Sequence, residues 1–268
     1  MSANDKPTRG VQELRPYDVL TESFARRTAA NSAPYLIDFI KPTDSILDVG
    51  CGSGSITLGF AQLVPQGHVI GIDVTEKELA LARGAATAQG VKNVEFRFGD
   101  AHKLLEDFED DTFNIVHAHQ VLFHIHEPVK VLRYMRQLTR PGGLVASGDS
   151  ADLVFWPHNP AFDKQKEIWY KMCDMKGTVP NAGRFSHVWA REVGFEWSQI
   201  QLGSKSEHYF GEAMRNFAAG ASKVGYMFRE AGMTTLEECQ EIEKSYKEWA
   251  AKPESRILGL DGWILCRK

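Results

Sequence analysis

The chain of 268 residues lacks several features that mark particular protein classes. It has only 4 cysteines, with no C-x-x-C among them, so neither a disulfide framework nor a cysteine zinc site is indicated. Such cysteine usage fits a reducing compartment. No apolar run approaches the roughly 20 residues of a membrane span, and the start of the chain lacks the apolar core of a signal peptide. We therefore expect a cytoplasmic protein without a membrane partner.

An excess of positive charge is also missing. The formal net charge is −4 and the sequence pI is about 6.2, which gives no electrostatic reason to expect a nucleic-acid partner. Hydrophobic residues make up 43% and charged residues 25%, as in ordinary soluble globular proteins. The length allows one large domain with an embellishment, or two small domains.

What the sequence does contain is a glycine-rich stretch after two apolar residues and Asp48, with glycines at positions 50, 52 and 54. This pattern predicts a buried strand that turns sharply into a helix whose N-terminus faces a ligand. The dinucleotide pattern G-x-G-x-x-G/A fails, because its last position falls on Ser55 or Thr57. A phosphate-binding P-loop fails because no lysine follows the glycines. A merely structural turn is the alternative.

Two acids follow predicted strands farther along the chain. Asp73 ends the apolar segment 68–73, about twenty residues past the glycines, where a carboxylate binds the ribose hydroxyls of adenosine-type ligands. A carboxylate suits a vicinal diol because it accepts two hydrogen bonds at once. Thr75 and Glu78 form the pattern of a helix-capping box, which would leave Asp73 free for the ligand. Asp100 follows a third alternating strand, 94–98.

Strands and helices alternate from residue 46 to about 150, with further strands predicted at 113–120 and 144–147 and a helix from Glu127-Pro128 between them. This order indicates a doubly wound parallel sheet. Ligands of such sheets bind at the carboxyl ends of the strands. The residues predicted to meet in that crevice are Asp48, Gly50, Asp73, Asp100 and His119.

The segment Ile46-Leu47-Asp48-Val49-Gly50-Cys51-Gly52-Ser53-Gly54 matches the pattern hh(D/E)hGxGxG in full. That pattern is the first motif of the class I S-adenosylmethionine-dependent methyltransferases. The chain resembles this family, and in particular the ubiquinone/menaquinone-biosynthesis type (methyltransferase type 11-like) that acts on small molecules. The Pro141-Gly142-Gly143 entry into strand five agrees, whereas Asn114 replaces the usual acid of strand four. The resemblance is close over residues 15–150 and looser over 184–268.

The resemblance implies an α/β, Rossmann-like, doubly wound and mostly parallel seven-stranded sheet with helices on both faces, an N-terminal helical cover and a C-terminal helical insertion. It implies S-adenosyl-L-methionine as cofactor, with the glycine turn at the methionine portion and Asp48 near its ammonium group. The acid after strand three and the next backbone N–H would read the adenine edge. The cofactor-binding residues expected on this basis are Asp48, Gly50, Gly52, Gly54, Asp73, Val74, Asp100, Ala101 and His119.

The predicted organisation is a flexible arm, 1–14, followed by a single methyltransferase domain, 15–268. Within that domain we expect a cofactor-binding core at 46–150, acceptor-binding loops and a helical insertion at 151–261, and a last strand at 262–268. Two short helices are predicted between Tyr17 and Ile40, the second beginning near Pro34. In related methyltransferases such a segment covers the cofactor, which makes Tyr17, Phe24 and Arg27 candidate lid residues.

Four histidines, at positions 117, 119, 124 and 126, lie within ten residues, and His102 lies upstream. Their spacing lacks the i, i+4 pairing of zinc proteases, and no cysteine supports them, so we predict no metal site. His117 is predicted to be a partly buried strand residue and His126 to cap the following helix. His124 follows strand four, where family members carry substrate-facing groups, and is the tentative general base.

Beyond residue 150 we predict a loop at 155–160, helices at 162–175 and 186–193, a sixth strand at 199–202, a helical insertion over 211–251 and a last strand at 262–267. Aromatic residues in this half could line an acceptor pocket, although aromatics at helical spacing more often form a core. They are Trp156, Trp169, Tyr170, Phe217, Tyr226 and Trp249.

The function predicted from the sequence is S-adenosylmethionine-dependent methyl transfer to a small, apolar or aromatic acceptor by in-line displacement. One alternative is a protein or nucleic-acid methyltransferase. Another is a module of the same fold that binds the cofactor without transferring methyl, in a regulatory or pericyclase-like role. A dehydrogenase is a further alternative. The acceptor atom, the pathway and the oligomeric state do not follow from the sequence.

Overall fold

The computed structural model describes residues 27–268. The strands in this range are β1 (Ser45–Val49), β2 (His68–Asp73), β3 (Val94–Phe98), β4 (Phe113–His119), β5 (Thr139–Trp156), β6 (Ile200–Phe210) and β7 (Arg256–Arg267). The helices are α1 (Ala29–Ser32), α2 (Pro34–Ile37), α3 (Ser55–Leu63), α4 (Glu76–Gln89), α5 (Leu104–Asp107), α6 (Pro128–Leu138), α7 (Pro160–Lys176), α8 (Ser186–Glu192), α9 (Gly211–Glu230) and α10 (Leu236–Ala250). Short 3₁₀ helices lie at Ala101–Lys103, Ala182–Arg184 and Trp197–Gln199.

The strands form a seven-stranded sheet in the order β3-β2-β1-β4-β5-β7-β6. The pairings of β1 with β2, β1 with β4, β2 with β3 and β4 with β5 are all parallel. The order reverses between β1 and β4, which is the switch point where doubly wound sheets bind ligands. The predicted fold class is confirmed.

The buried residues of β1 and β4 alternate between two apolar clusters, which explains why the sheet needs helices on both faces. Ile46 and Ile115 pack with residues of α1, α2 and α3. Leu47 and Val116 point the other way and pack with residues of α6 and α8. Successive side chains of a strand point to opposite faces of the sheet. Strands that are apolar at every position therefore require a helical layer on each face.

The strands of the C-terminal half are longer than predicted. β5 spans 139–156 rather than 144–147 and includes Phe155 and Trp156, which the sequence placed in a loop. Near its start, the Gly142 N–H donates to the Lys268 carbonyl and the Lys268 N–H donates to the Gly143 carbonyl. β6 and β7 likewise span 200–210 and 256–267. Pairing between distant segments, rather than local apolar pattern, sets these lengths.

The described chain divides into two compact units. The core unit comprises residues 27–150, 181–205 and 261–268, and the helical unit comprises 151–180 and 206–260. Segment 181–205 therefore lies with the core, whereas the sequence grouped it with the acceptor-binding region. The helical insertion predicted at 211–251 is confirmed as α9 and α10.

At the start of the described range, Pro34 occupies the first turn of α2, as predicted. Tyr17, Phe24 and the predicted arm 1–14 lie outside the described residues. Within residues 27–268, no helix combines the length and apolar character needed to cross a membrane.

Candidate active site

The glycine turn joins β1 to α3 in a conformation that requires glycine. Gly50, Gly52 and Gly54 have φ values of 69°, 53° and 81°, in the left-handed region that favours glycine. A Cβ on Gly50 would lie 2.4 Å from Val121, and one on Gly54 would lie 2.7 Å from Phe96. Above Gly52, by contrast, no described atom lies within 4 Å of the Cβ position. The turn is thus packed on two sides and open at its middle glycine.

Cys51 faces the neighbouring strand. Its N–H donates to the Ile72 carbonyl at 2.9 Å, and its Sγ lies 3.0 Å from the position that a Cβ on Gly71 would take. The glycine in β2 thus makes room for the cysteine of the turn. Burial raises the pKa of the Cys51 thiol well above its usual value, so the side chain stays neutral and acts as packing.

Asp73 stands at the end of β2, beside the turn. Its Oδ2 accepts from the Gly52 N–H at 3.0 Å, and its Oδ1 accepts from the Thr75 N–H at 2.9 Å. The predicted capping box is wrong, because the Thr75 side chain makes no capping hydrogen bond and Asp73 itself accepts at the start of α4. A carboxylate offers about four lone-pair sites, so two backbone donors leave acceptor capacity on both oxygens.

Asp48 lies beneath the turn and is only 3% exposed. Its Oδ2 accepts from the Thr57 hydroxyl of α3 at 2.6 Å, and its Oδ1 lies 2.7 Å from Nδ1 of His117 in β4. His117 is fully buried, more deeply than predicted, and Phe60 packs edge-on against its ring. One carboxylate therefore ties β1, the first helix after the turn and β4 together. A direct contact between Asp48 and an ammonium group stays a prediction.

Asp100 follows β3 and begins a 3₁₀ helix. Its Oδ1 accepts from the backbone N–H of His102 at 2.9 Å and lies 3.1 Å from Nδ1 of the same histidine. Burial alone would raise the pKa of Asp100, but these hydrogen bonds and the nearby positive charge lower it below its usual value. Asp100 is thus an ionised acceptor at the end of the third strand.

His102 also reaches the segment after β4. Its Nε2 lies 2.7 Å from the His126 carbonyl oxygen, and the two imidazole rings stack with centroids 4.0 Å apart. The prediction that His126 caps the next helix is wrong. The cap position of α6 is Glu127, in a left-handed conformation and without a side-chain capping bond. The His126 ring instead packs against the ring of His102.

His119 ends β4 and is 7% exposed. Neither of its ring nitrogens has a hydrogen-bond partner among the described residues. Burial, followed by the positive charges of Arg27 and Lys205, lowers the pKa of His119 well below its usual value, so the ring is neutral. A buried neutral imidazole with one free donor and one free acceptor is unusual in a folded protein.

The hydroxyl of Tyr35 in α2 is also buried without a hydrogen-bond partner among the described residues, as are Nε2 of His117 and Nε of Arg136. The Tyr35 ring stacks on Trp263 with centroids 4.6 Å apart and planes 2° apart. Burial, and then the carboxylates of Asp149, Asp261 and Asp48, raise its pKa, so the phenol keeps its proton. Tyr35 was not predicted as a site residue, because its segment shows only the apolar periodicity of a helix.

Asp149 of β5 is 1% exposed and was also missed. Its Oδ2 accepts from the Ser147 hydroxyl at 2.9 Å and its Oδ1 from the Phe123 N–H at 3.3 Å. Burial raises its pKa to about 6. Gln120, which follows β4 with φ 57°, donates from Nε2 to Asp261 at 2.8 Å. An acid soon after an apolar strand was the available signal for Asp149.

A family model described as "Methyltransferase domain" matches residues 40–232 of this chain. An uncharacterized methyltransferase of Schizosaccharomyces pombe is 33% identical over 228 residues, which cover 80% of this chain and 79% of that protein. A demethylmenaquinone methyltransferase of Bacillus cytotoxicus is 36% identical over 132 residues, 48% of this chain and 55% of the relative. A solved SAM-dependent methyltransferase from Aquifex aeolicus has a TM-score of 0.50 at 20% identity, covering 71% of this chain and 91% of that one.

The chain belongs to the methyltransferase family. Its cofactor is S-adenosylmethionine, and the fold similarity to the Aquifex structure agrees with the topology described above. The resemblance to methyltransferases inferred from the glycine motif is thereby confirmed, and the dehydrogenase alternative is rejected. The roles of individual residues stay predictions.

In this methyltransferase the predicted cofactor residues lie at the carboxyl ends of four neighbouring strands, β3, β2, β1 and β4. Val74 directly follows β2 and is 42% exposed. Ala101 directly follows Asp100 and is partly buried. The topology therefore brings together at one edge the residues that the sequence named: Asp48, Gly50, Gly52, Gly54, Asp73, Val74, Asp100, Ala101 and His119.

His124, the predicted base, lies in the turn between β4 and α6. Its N–H donates to the Val121 carbonyl at 2.9 Å, and its ring lies against Phe123 with centroids 3.5 Å apart. Among the described residues, no group of three or more histidine, cysteine or acidic side chains is arranged to hold a metal ion.

The aromatic residues predicted for an acceptor pocket have different environments within the helical unit. Phe217 and Trp249 have the core role that is more common for aromatics at helical spacing, because both are buried in the apolar core of this unit with Phe162 and Tyr246. The indole N–H of Trp249 donates to the Pro157 carbonyl at 2.8 Å. The remaining four differ from these in being partly or largely exposed: Trp156, Trp169, Tyr170 and Tyr226.

Proposed function

We propose that this methyltransferase transfers the methyl group of S-adenosylmethionine to a small-molecule acceptor, apolar or aromatic, by in-line displacement. The observation that carries the cofactor half is the position of Asp73. Its carboxylate is fixed by the N–H of Gly52, the one glycine of the turn with open space above it. The two carboxylate oxygens of Asp73 are thus held in place at the edge of a turn that a ligand can approach.

The residues present fit an adenosyl sulfonium. The free lone pairs of Asp73 suit the two ribose hydroxyls. The ionised carboxylate of Asp100, with the adjacent Ala101 N–H, supplies an acceptor and a donor for the adenine edge. The glycine turn, supported from below by Asp48, lies at the methionine portion. Val74 and His119 complete the set of residues proposed to border the cofactor.

The bound cofactor supplies an activated methyl group and carries its own leaving group, so the protein need not provide a nucleophile. Positioning the acceptor at near-attack distance can contribute about 7–11 kcal/mol. A general base is required only when the acceptor must lose a proton, as a phenol or an acidic carbon does. His124 is the base proposed from the sequence, and a His124→Ala variant should turn over more slowly with unchanged cofactor affinity.

Three observations support a small acceptor. The similarity to a protein named demethylmenaquinone methyltransferase points toward an aromatic, apolar substrate. The net charge of −4 gives no surface attraction for nucleic acid. In addition, the segment after β4 reads His119-Gln120-Val121-Leu122, which lacks the N/D-P-P-Y/F motif of enzymes that methylate the amino groups of bases.

The experiment is incubation with methyl-labelled S-adenosylmethionine and an extract of the source, followed by mass spectrometry of labelled products. Label in a low-molecular-weight compound, lost with an Asp73→Ala variant, is the expected result. Label in protein or nucleic acid would replace the small-molecule assignment by the first alternative. Bound cofactor with no labelled product from any fraction would indicate a module of this fold that does not transfer methyl.

A further inference from the structure

Asp100 and His102, which follow β3, are joined by polar contacts to the segment after β4. Nδ1 of His102 lies 3.1 Å from Oδ1 of Asp100, and Nε2 of the same ring lies 2.7 Å from the His126 carbonyl oxygen. β3 and β4 are not neighbours in the sheet, because β2 and β1 lie between them. The contacts therefore connect two strand ends that share no ladder hydrogen bond. We call these three residues the Asp100–His126 bridge.

The bridge occupies one oxygen of Asp100 and leaves the other available. Both hydrogen bonds that the carboxylate accepts from described residues, from the backbone N–H and from Nδ1 of His102, end on Oδ1. The Asp100 side chain is 41% exposed, whereas that of His102 is 17% exposed. Oδ2 thus keeps its full acceptor capacity on a side chain that a ligand can reach.

The His102 ring is held on two sides within the bridge. Its Nε2 faces the His126 carbonyl, and its plane stacks on the His126 ring at 19° with centroids 4.0 Å apart. Burial, followed by the charge of His102, lowers the pKa of His126. The His126 ring is therefore neutral at neutral pH and stacks without charge repulsion. Because turning the His102 ring would break both contacts, the position of its Nδ1 is fixed.

The orientation of Asp100 matters because the adenine edge has a donor next to an acceptor. In adenine the 6-amino group donates and N1 accepts, which suits a carboxylate oxygen beside a backbone N–H. In hypoxanthine, the base of inosine, the order is reversed, since O6 accepts and N1 carries a proton. Two acceptors or two donors that face each other leave both without a partner. A carboxylate held in one orientation therefore favours an adenosyl over an inosyl ligand.

We infer that His102 is a positioning residue for cofactor specificity, whose Nδ1 holds Oδ1 of Asp100 so that Oδ2 meets the 6-amino group of the adenine. This inference rests on the proposed function, in which Asp100 and the Ala101 N–H read the adenine edge. The contact with His126 couples the orientation of Asp100 to the segment after β4. Because His102 acts through Asp100, its substitution should change which base is preferred.

The test is calorimetric titration of the full chain with S-adenosylhomocysteine and with S-inosylhomocysteine, which has an oxygen in place of the 6-amino group. We expect the wild type to bind the adenosyl compound roughly tenfold or more tighter, because a site built for a donor rejects an acceptor. In Asp100→Asn the two affinities should agree within about threefold, since an amide can turn either its oxygen or its NH₂ toward the base.

Two substitutions of His102 separate its two contacts. His102→Asn keeps a donor near the position of Nδ1 and loses the contact with the His126 carbonyl, whereas His102→Gln keeps a donor near Nε2 and loses the contact with Asp100. We expect His102→Gln to lower the adenosyl-to-inosyl affinity ratio by roughly fivefold or more, and His102→Asn to preserve it within about twofold.

His68→Gln is the matched control, because His68 is exposed and begins β2, at the opposite end of the strand from Asp73. Its affinity ratio should equal that of the wild type. Both ligands are titrated into one preparation of each variant, so a loss of folded protein affects the two measurements alike and leaves the ratio unchanged.

A wild-type ratio in His102→Gln together with a reduced ratio in Asp100→Asn would overturn the inference and leave the adenine role of Asp100 in place. Equal losses in His102→Gln and His102→Asn would also overturn it, because the contact of Nδ1 would then not be the one that matters. An unchanged ratio in Asp100→Asn would instead remove Asp100 from the adenine edge. Failure of the wild type to bind S-adenosylhomocysteine would overturn the proposed function itself.

Discussion

The two units of the chain bury different chemistry. In the core unit the buried side chains include carboxylates and imidazoles, namely Asp44, Asp48, His117, His119 and Asp149. In the helical unit the buried polar side chains among the described residues are Gln165, Ser222 and Ser255, and its interior is a cluster of aromatic rings. Burying an ionisable group is unfavourable unless hydrogen bonds or an opposite charge compensate for the lost water. Buried ionisable groups therefore often lie at functional sites.

This difference distinguishes the buried polar residues near the candidate site from the buried aromatic residues that stabilise the helical unit. Asp48 lies beneath the glycine turn and Asp149 lies within β5, and each accepts a hydrogen bond from a neighbouring hydroxyl, that of Thr57 or that of Ser147. In the helical unit, Phe162 stacks on Tyr246 with centroids 4.3 Å apart and meets Trp249 edge-on. Substitutions in the two units should therefore change different measurements.

The largest expected effect is on stability, from Trp249→Ala. Removing a fully buried tryptophan from the aromatic cluster should lower the free energy of unfolding by about 3–5 kcal/mol, with loss of its bond to Pro157 included. Urea unfolding measures this, and Trp249→Phe should lose clearly less. Affinity for S-adenosylhomocysteine, measured well below the unfolding transition, should not change. A fall in that affinity would break the distinction between the units.

Asp149→Asn should change the pH dependence of stability. The pKa of Asp149 is raised from 3.8 to about 6, so the folded state holds this proton more tightly than the unfolded state does. The resulting stabilisation is present below pH 3.8 and is lost as the pH rises through about 6. Relative to Asp149→Asn, the wild type should lose up to about 3 kcal/mol between pH 4 and pH 7, at about 1.36 kcal/mol per pKa unit.

Urea unfolding at both pH values measures this difference, and Asp107→Asn, at an exposed position, is the control. Parallel stability curves for the wild type and Asp149→Asn would contradict a buried, perturbed carboxyl at this position.

Asp73→Ala should weaken cofactor binding at least tenfold, because it removes a charge-assisted hydrogen bond to the ribose of about 1.5–3 kcal/mol. Calorimetry with S-adenosylhomocysteine measures the affinity, with Asp107→Ala as an exposed control. Equal affinities for Asp73→Ala and the wild type would remove Asp73 from the ribose position.

The smallest expected effect is at the start of α10. The Thr235 side chain accepts from the Glu238 N–H, and Glu238 accepts from the Thr235 N–H. Thr235→Ala removes half of this reciprocal cap and should lower stability by about 1 kcal/mol. Thr235→Ser keeps the hydroxyl and should lose only a fraction of that. Thermal unfolding distinguishes the two, and a loss of cofactor affinity in Thr235→Ala would be unexpected.

The core unit was largely predictable from the sequence because its signals are local. The turn requires glycine at Gly50 and Gly54 through backbone angle and close packing, and those requirements are visible as a spacing. Parallel topology then carries Asp73 and Asp100 to the same edge, since the ends of parallel strands meet there. The predicted cap at Thr75 failed because Asp73, two residues earlier, accepts the same backbone N–H.

The C-terminal half was less predictable because its structure depends on distant pairing and packing. At the start of β5, Gly142 and Gly143 form backbone hydrogen bonds with Lys268, a residue far away in the chain. The assignment of Trp249 to a core rather than a pocket follows from its contacts with Phe155 and Phe162. Helical spacing alone gives the same pattern for both roles.

The sequence by itself determined the family, the cofactor and the alternation of strands with helices, because each depends on residues adjacent in the chain or on a repeated pattern. Only the tertiary structure brought His102 and His126 into contact, 24 residues apart in the chain. The two histidines follow different strands, and the packing of the segments after β3 and β4 decides which of their polar atoms meet. Hydrogen-bond satisfaction is a property of neighbours in space, so a chain read in order does not reveal it.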